Sequence, residues 1–213
     1  MSIDSVRDSA RAQLSGAARE LIDQELLYTI RDLFRYTRVW VFPDSITTTQ
    51  GQLIYSLSPP QGAEIWRIHS VSEFQGVSGT GPDLHPVNQR DRPNYISEWY
   101  YEFDRGQGSI ILTSALENPS GRTLLVNMIL VPETIYDVPD GWAEELEEPL
   151  LNGTLYRMMI HPNRPYTNQG TALSHGRRYQ AARTRIRNER YRSFAEAGIG
   201  WSFPLATRSR TLR

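Results

Sequence analysis

The chain is 213 residues long, 39% hydrophobic and 22% charged, with no cysteine and with 23 basic side chains against 24 acidic ones, every basic one an arginine. Such a length and composition support a globular core, while the missing thiols exclude disulfides, thiolate metal sites and a cysteine nucleophile. No apolar run approaches the ~20 residues that span a bilayer, and the opening residues have neither the basic start nor the apolar stretch of an export signal, so neither membrane insertion nor export is expected.

Residues 1–38 read as helix. Asp4 or Ser2 is placed to cap a short first segment, and Gly16 separates it from a longer second one. Ala17, Leu21, Ile22, Leu26, Ile30, Leu33 and Phe34 recur at three- and four-residue steps and form one apolar stripe, with Glu20, Asp23, Arg31 and Arg35 largely off it.

At Val39-Trp40-Val41-Phe42 the period changes, and Pro43-Asp44 ends any helical continuation. Residues 39–138 read as a domain of strands. Leu53, Tyr55 and Leu57 alternate with Gln52, Ile54 and Ser56, Pro59-Pro60-Gln61-Gly62 turns the chain, and Glu64 to Val71 is rich in Ile, Trp and Val. Gln75 to Pro93 reads as an exposed loop with one short strand near Leu84 to Val87. Ile96 to Asp104, the turn Arg105-Gly106-Gln107-Gly108 and Ser109 to Thr113 have the form of a hairpin, and Thr123 to Val131, apolar on both faces, is a buried strand. Strands spaced by turns, without helical pattern between them, predict an antiparallel sandwich or barrel.

The helical signal returns over residues 139–197. Asp140 is placed as an N-cap, and Glu144, Glu145, Glu147 and Glu148 occupy opening turns where the helix dipole favours anions. Leu146, Leu150, Leu151, Leu155, Met158 and Met159 supply an apolar face, with a bend expected at Pro149. The last helix is expected from about Thr171 to Phe194, with Tyr179, Ala182 and Ile186 inward and Arg177, Arg178, Arg183, Arg185, Arg187, Arg190 and Arg192 around the rest. Charge is unevenly distributed: through Leu150 there are 11 arginines and 22 acids, a balance of −11, whereas from Leu151 onward there are 12 arginines and 2 acids, a balance of +10. Arginine keeps its charge when desolvated and pairs bidentately with carboxylates, so this inventory suits charged contacts within or between subunits. Residues 198–213 lose all periodicity yet carry Trp201, Phe203 and Leu205, large apolar groups that suit an arm docked on a partner.

Chemistry is scarce. The four histidines, His69, His85, His161 and His175, include no pair at the i, i+4 spacing of a zinc helix, and a chain without lysine cannot form a Walker A loop. Gly76-Val77-Ser78-Gly79 lacks a spacer residue of the nucleophile elbow and reads as a turn. The glutamates at 144, 145, 147 and 148 spread around a helix rather than converging on a cation. No catalytic residue, cofactor or metal site is expected. The arginine-rich helix, interleaved with Tyr179 and Tyr191, could meet phosphates, but no base-reading motif accompanies it.

Taken in order, these elements predict an α+β fold: an N- and C-terminal helical bundle with an inserted antiparallel β-sandwich or barrel and an extended C-terminal arm. The same order, and several local phrases, resemble the head-to-tail adaptors, or tail tubular protein A family, of short-tailed bacteriophages. The phrases are Arg38-Val39-Trp40; Tyr55-Ser56-Leu57-Ser58-Pro59-Pro60 followed by Ile65-Trp66-Arg67-Ile68; Val131-Pro132 through Val138-Pro139-Asp140; Leu151-Asn152-Gly153-Thr154-Leu155; and the exit His161-Pro162-Asn163-Arg164-Pro165-Tyr166. The all-arginine inventory and the long arginine-rich helix have no counterpart in that resemblance.

The resemblance implies a non-enzymatic virion component at the head-tail interface, assembled in the host bacterial cytoplasm. It implies a homo-oligomeric ring of about twelve copies between the portal protein and the tail nozzle, with transient, non-specific contact to genomic DNA in the lumen and none to membrane. The arm would grip the portal through Trp201, Phe203 and Leu205 as anchors, with Arg208, Arg210 and Arg213 pairing with acidic groups. Arg177, Arg178, Arg183, Arg185 and Arg187 would face a neighbouring subunit or DNA. Two other classes stand beside this reading: a DNA-binding module using the arginine-rich C-terminal helix, and a hydrolase with a site in the Gln75 to Pro93 loop.

Overall fold

The computed structural model describes residues 3–74, 80–86, 100–113 and 121–196. Two helices open the chain, α1 (Ile3–Gln13) and α2 (Arg19–Thr37), with Gly16 at φ +80° in the link between them. Asp4, one of the two expected caps, lies inside α1 and pairs with Arg7 instead; the other, Ser2, lies outside the described residues. The α2 stripe forms as its spacing requires: Ile22, Leu26, Ile30, Leu33 and Phe34 are fully buried. Arg38 closes the helix in the left-handed region at φ 55°, its N–H donating to the Phe34 carbonyl at 2.9 Å.

Among the described residues seven strands follow: β1 (Val41–Thr47), β2 (Ile54–Ser56), β3 (Ala63–Phe74), β4 (Thr80–Pro86), β5 (Tyr100–Asp104), β6 (Ser109–Thr113) and β7 (Thr123–Pro132). Their spatial order is β1-β7-β3-β4-β5-β6-β2. Among the described residues every pairing is antiparallel except β4 with β5, a parallel bridge of two residue pairs, His85 with Tyr100 and Pro86 with Tyr101. The order therefore divides into two small antiparallel sheets, β1-β7-β3-β4 and β5-β6-β2. The strands β1 and β2 stand at opposite ends and do not pair, so of the two expected forms, sandwich and barrel, the closed barrel is not the one adopted.

Position in the sheet explains what each strand tolerates. The strand β7 sits between β1 and β3 and is buried along most of its length, as its two apolar faces require. Pro43 falls within β1, an edge strand, where a missing N–H costs no ladder bond on the open side. Leu53, expected to share the face of Tyr55 and Leu57, precedes β2 and is exposed, while Tyr55 and Leu57 are buried. The short strand expected near Leu84 to Val87 is β4, longer at its start; Val87 and the first part of the expected hairpin strand, 96–99, lie outside the described residues.

After a 3-10 turn, Ile135–Asp137, closed by a capping box between Thr134 and Asp137, come α3 (Asp140–Glu145), α4 (Glu147–Met159) and α5 (Gln169–Glu196). The N-cap of α3 is Pro139 rather than Asp140, which is already helical. The expected bend at Pro149 is instead a break at Leu146 (φ −100°, ψ 4°). Proline lacks the N–H that would reach the Glu145 carbonyl and crowds that carbonyl, so the interruption falls one turn before the proline itself.

Leu33 and Phe34, late in α2, pack with Leu146 and Leu150, whereas Ile22, early in α2, packs with Leu155 and Met158; α2 and α4 therefore run antiparallel. By the same logic Ala172 and Ile186 place α5 antiparallel to α4. A separate cluster, including Tyr55, Ile65, Tyr101, Ile110, Leu112, Val126 and Met128, lies between the two sheet halves. Trp40 touches both the sheet core and the cluster formed by Leu33, Phe34 and Leu146.

Candidate partner-binding surfaces

The arginine-rich helix α5 is drawn close to the bundle by two glycines. A Cβ on Gly153 would stand 2.4 Å from Thr29 Cγ2 and 3.0 Å from the Tyr179 ring, and one on Gly176 would stand 2.8 Å from the Tyr156 ring. Small residues at such crossings let the helix axes approach, and the aromatic rings fill the space. Asp32 on α2 then accepts from Tyr179 Oη at 2.7 Å and from an Arg183 guanidinium nitrogen at 2.5 Å. Burial, reinforced by the Asp32 carboxylate, pushes the Tyr179 phenol well above the ordinary tyrosine range, so it stays a proton donor.

Beyond Tyr179 the arginines of α5 turn to aromatic partners. The Arg183 guanidinium lies 3.8 Å from the centre of the Tyr36 ring, Arg187 lies 4.8 Å from Tyr36 and 5.4 Å from Tyr191, and Arg190 lies 4.2 Å from Trp142. Arg187 acts on both phenol oxygens and holds the pKa values of Tyr36 and Tyr191 below the ordinary tyrosine value. Arg190 also faces Glu145 at 3.8 Å, linking α5 to α3. His175 stands against Asn152 at 2.7 Å, with the imidazole pKa lowered by burial and then by Arg178.

The five arginines expected at a subunit or DNA surface thus divide. Arg183 and Arg187 are partly buried and engaged within the chain. Arg177, Arg178 and Arg185 are exposed; Arg185 faces Glu189 one turn on at 3.8 Å, and Arg177 and Arg178 form no ion pair with a described residue. The expected portal anchors Trp201, Phe203, Leu205, Arg208, Arg210 and Arg213 lie outside the described residues.

A second charged cluster was not foreseen. Trp66 on β3 is flanked by two guanidiniums, Arg35 of α2 at 4.0 Å and Arg105 of the β5–β6 turn at 4.3 Å from the ring centre. Glu64 accepts from Arg105 at 2.5 Å and lies 3.6 Å from Arg31, which itself donates to the carbonyls of Pro132 and Glu133 at 3.0 and 3.2 Å. Its members are spread over seventy-five positions of sequence, from Arg31 to Arg105, and no local pattern joins them. Only Glu64, Trp66 and their alternation in a strand are visible locally, and the arginines meet them through the fold.

Two further networks tie the bundle together. The mostly buried Arg7 donates to Tyr136 Oη at 2.8 Å and pairs with Asp4 and, at 3.9 Å, with Asp23. Buried Glu25 accepts from Arg157 Nε at 2.6 Å, with His161 Nε2 at 3.6 Å. Among the described residues no group of three or more His, Asp or Glu side chains is placed to hold a metal ion, and no helix is long and apolar enough to cross a membrane. What these surfaces offer chemically is charge and aromatic area for contact with other molecules.

Comparison with curated proteins returns no match. The family model described as SU10 adaptor protein matches residues 1–201, which takes in every helix and strand described above; the chain therefore belongs to that adaptor family, in keeping with its resemblance to phage head-to-tail adaptors.

Proposed function

We propose that this chain is the subunit of a ring that joins the portal of a phage head to the tail nozzle, with DNA passing through the lumen. Family membership makes it a phage adaptor, a structural component of the virion; the ring, its about twelve copies, its place between portal and nozzle and its assembly in the host cytoplasm are our reading. In this reading the helices of residues 1–38 and 139–197 build the ring wall, and the strands of residues 39–138 point outward or towards the tail. The arm of residues 198–213 reaches the portal through Trp201, Phe203 and Leu205, with Arg208, Arg210 and Arg213 on acidic groups. Arg177, Arg178 and Arg185 face the neighbouring subunit or the passing DNA.

The observation that carries the reading is the family match over residues 1–201. The exposed Arg177, Arg178 and Arg185 of α5, on a helix whose Arg183, Arg187 and Arg190 are engaged by other elements, support it. The test is deletion of Gly198 to Arg213 followed by mixing with the portal of the same virion. We expect a truncated chain with unchanged circular dichroism that no longer binds the portal; full portal binding by that chain would remove the arm from the proposal. Steep salt-dependent binding of duplex DNA by the isolated monomer would favour the DNA-binding module instead.

A further inference from the structure

The cluster around Trp66 holds more cations than its own carboxylates satisfy. Among the described residues, Arg31, Arg35 and Arg105 share the single carboxylate of Glu64, whose two oxygens are taken up by Arg105 and Arg31. Asp32, the next acid along α2, is engaged by Tyr179 and Arg183. Arg35 alone among the three arginines donates no hydrogen bond to a described residue, and its Nε is shielded from solvent without an acceptor. It is held in place by the face of Trp66 and crowded by burial and by its two cationic neighbours, Arg105 and Arg31, which together lower its pKa. A guanidinium fixed against an indole, without a hydrogen-bond acceptor among the described residues and with like charges beside it, is arranged to receive an anion that none of those residues supplies.

The chain also presents exposed carboxylates that lack a cation among the described residues. Asp8 on α1 and Glu20 in the first turn of α2 are exposed and form no ion pair there. Glu20 and Arg35 lie on one helix, fifteen positions apart, about 22 Å at the α-helical rise. Arg19, beside Glu20, is taken up by Asp23, so a cation-rich end and an end with a spare carboxylate lie on one rigid rod; they fit a head-to-tail contact, in which each copy offers a different patch to each neighbour, and not a two-fold contact.

We infer that the Arg35 cluster, with Arg105 and Trp66, is a carboxylate-receiving surface that docks the Glu20 end of a second copy of this chain. The inference rests on the ring reading and specifies which surfaces meet. An acidic side chain is favoured over a nucleic-acid phosphate because the body that carries the cluster is itself acid-rich through Leu150, which repels DNA and gives a neighbouring copy many carboxylates to offer.

The test is assembly of the full-length chain with its portal, counted as copies per portal by native mass spectrometry over a salt series. The wild type should fill the ring cooperatively. R35E should bind in smaller, non-cooperative numbers, and the double variant R35E/E20R should recover the wild-type count, since every interface of a ring built from it regains an opposite pair. R35Q, with circular dichroism as a folding control, should lose cooperativity in the same direction and stands in should the reversal disturb the fold. A full ring from R35E and R35Q, or a double variant no better than R35E, overturns the site while leaving the ring reading intact. Unchanged assembly with a DNA-binding salt slope shallower by about one charge overturns it in favour of a phosphate. A wild-type chain that never multimerises, alone or on the portal, overturns the ring and the site together.

Discussion

Gly153 illustrates how much a single missing methyl decides. Thr29, the atom nearest to a Cβ at that position, is almost fully buried, and its hydroxyl is anchored to the Glu25 carbonyl at 2.8 Å, so it cannot swing aside. Gly153→Ala should therefore lower stability by about 1–3 kcal/mol through overpacking, despite the ~1 kcal/mol that alanine ordinarily returns to a helix. Gly141, helical in α3 with nothing within 4 Å of a Cβ, is the contrasting case; Gly141→Ala should raise stability by about 0.5–1 kcal/mol. Urea denaturation of the two variants checks both signs. His175 makes a pH prediction of definite direction. Its folded pKa lies below the ordinary histidine value, so the unfolded chain takes up its proton first and the fold loses stability as pH falls through the unfolded value near about 6.5. Melting temperature should decline from pH 7 to 5.5, and His175→Gln should flatten that decline; an identical slope in the variant would remove His175 from the account.

At the scale of elements, α5 is fastened to α2 chiefly through Asp32, which receives both Tyr179 and Arg183. A double-mutant cycle with Asp32→Asn and Arg183→Gln should give a coupling of ~1 kcal/mol, modest because the Asp32 side chain is half exposed. Additive losses would mean that the pair does not interact in solution. The elements themselves were legible where a local pattern dictates them: the stripe from Ile22 to Phe34 can be satisfied only by a helix packed on one face, and the run Thr123 to Val131 only by a strand covered on both. Gly16 and the Arg105 to Gly108 turn were legible because few residues adopt those backbones. Less legible were features set by distant partners. Nothing in Pro139-Asp140 distinguishes a cap from a first helical residue, and the place of a proline-induced break depends on how Leu146 packs. The insertion of β7 between β1 and β3 is a choice among pairings that single strands do not encode. The Trp66 cluster follows from the same choice: Arg105 reaches β3 only because the two sheet halves fold over one core.

For the whole molecule, charge is the property most directly connected to assembly. The acid-heavy part through Leu150 and the arginine-heavy remainder give each subunit a strong internal polarity, and the exposed Arg177, Arg178 and Arg185 extend it along the outer side of α5. Replacing all three by Gln should leave the melting temperature within about 1–2 °C, since surface pairs contribute little to folding. It should at the same time weaken formation of the proposed ring and reduce its sensitivity to salt, as read by sedimentation at two ionic strengths. Wild-type assembly by the triple variant would assign that face to solvent. The exposed side of α5 was readable as a surface from its spacing, whereas its division into arginines engaged by other elements and arginines left on the surface required knowing where Tyr36, Trp142 and Asp32 lie.

That only two described residue pairs bridge β4 and β5 has a mechanical consequence. Under tension, a ladder fails where its rungs are fewest. Drawn apart in an optical trap, the subunit should unzip first along this crease, shedding β5, β6 and β2 as one flap, while the seven rungs joining β1 to β7 hold to higher force.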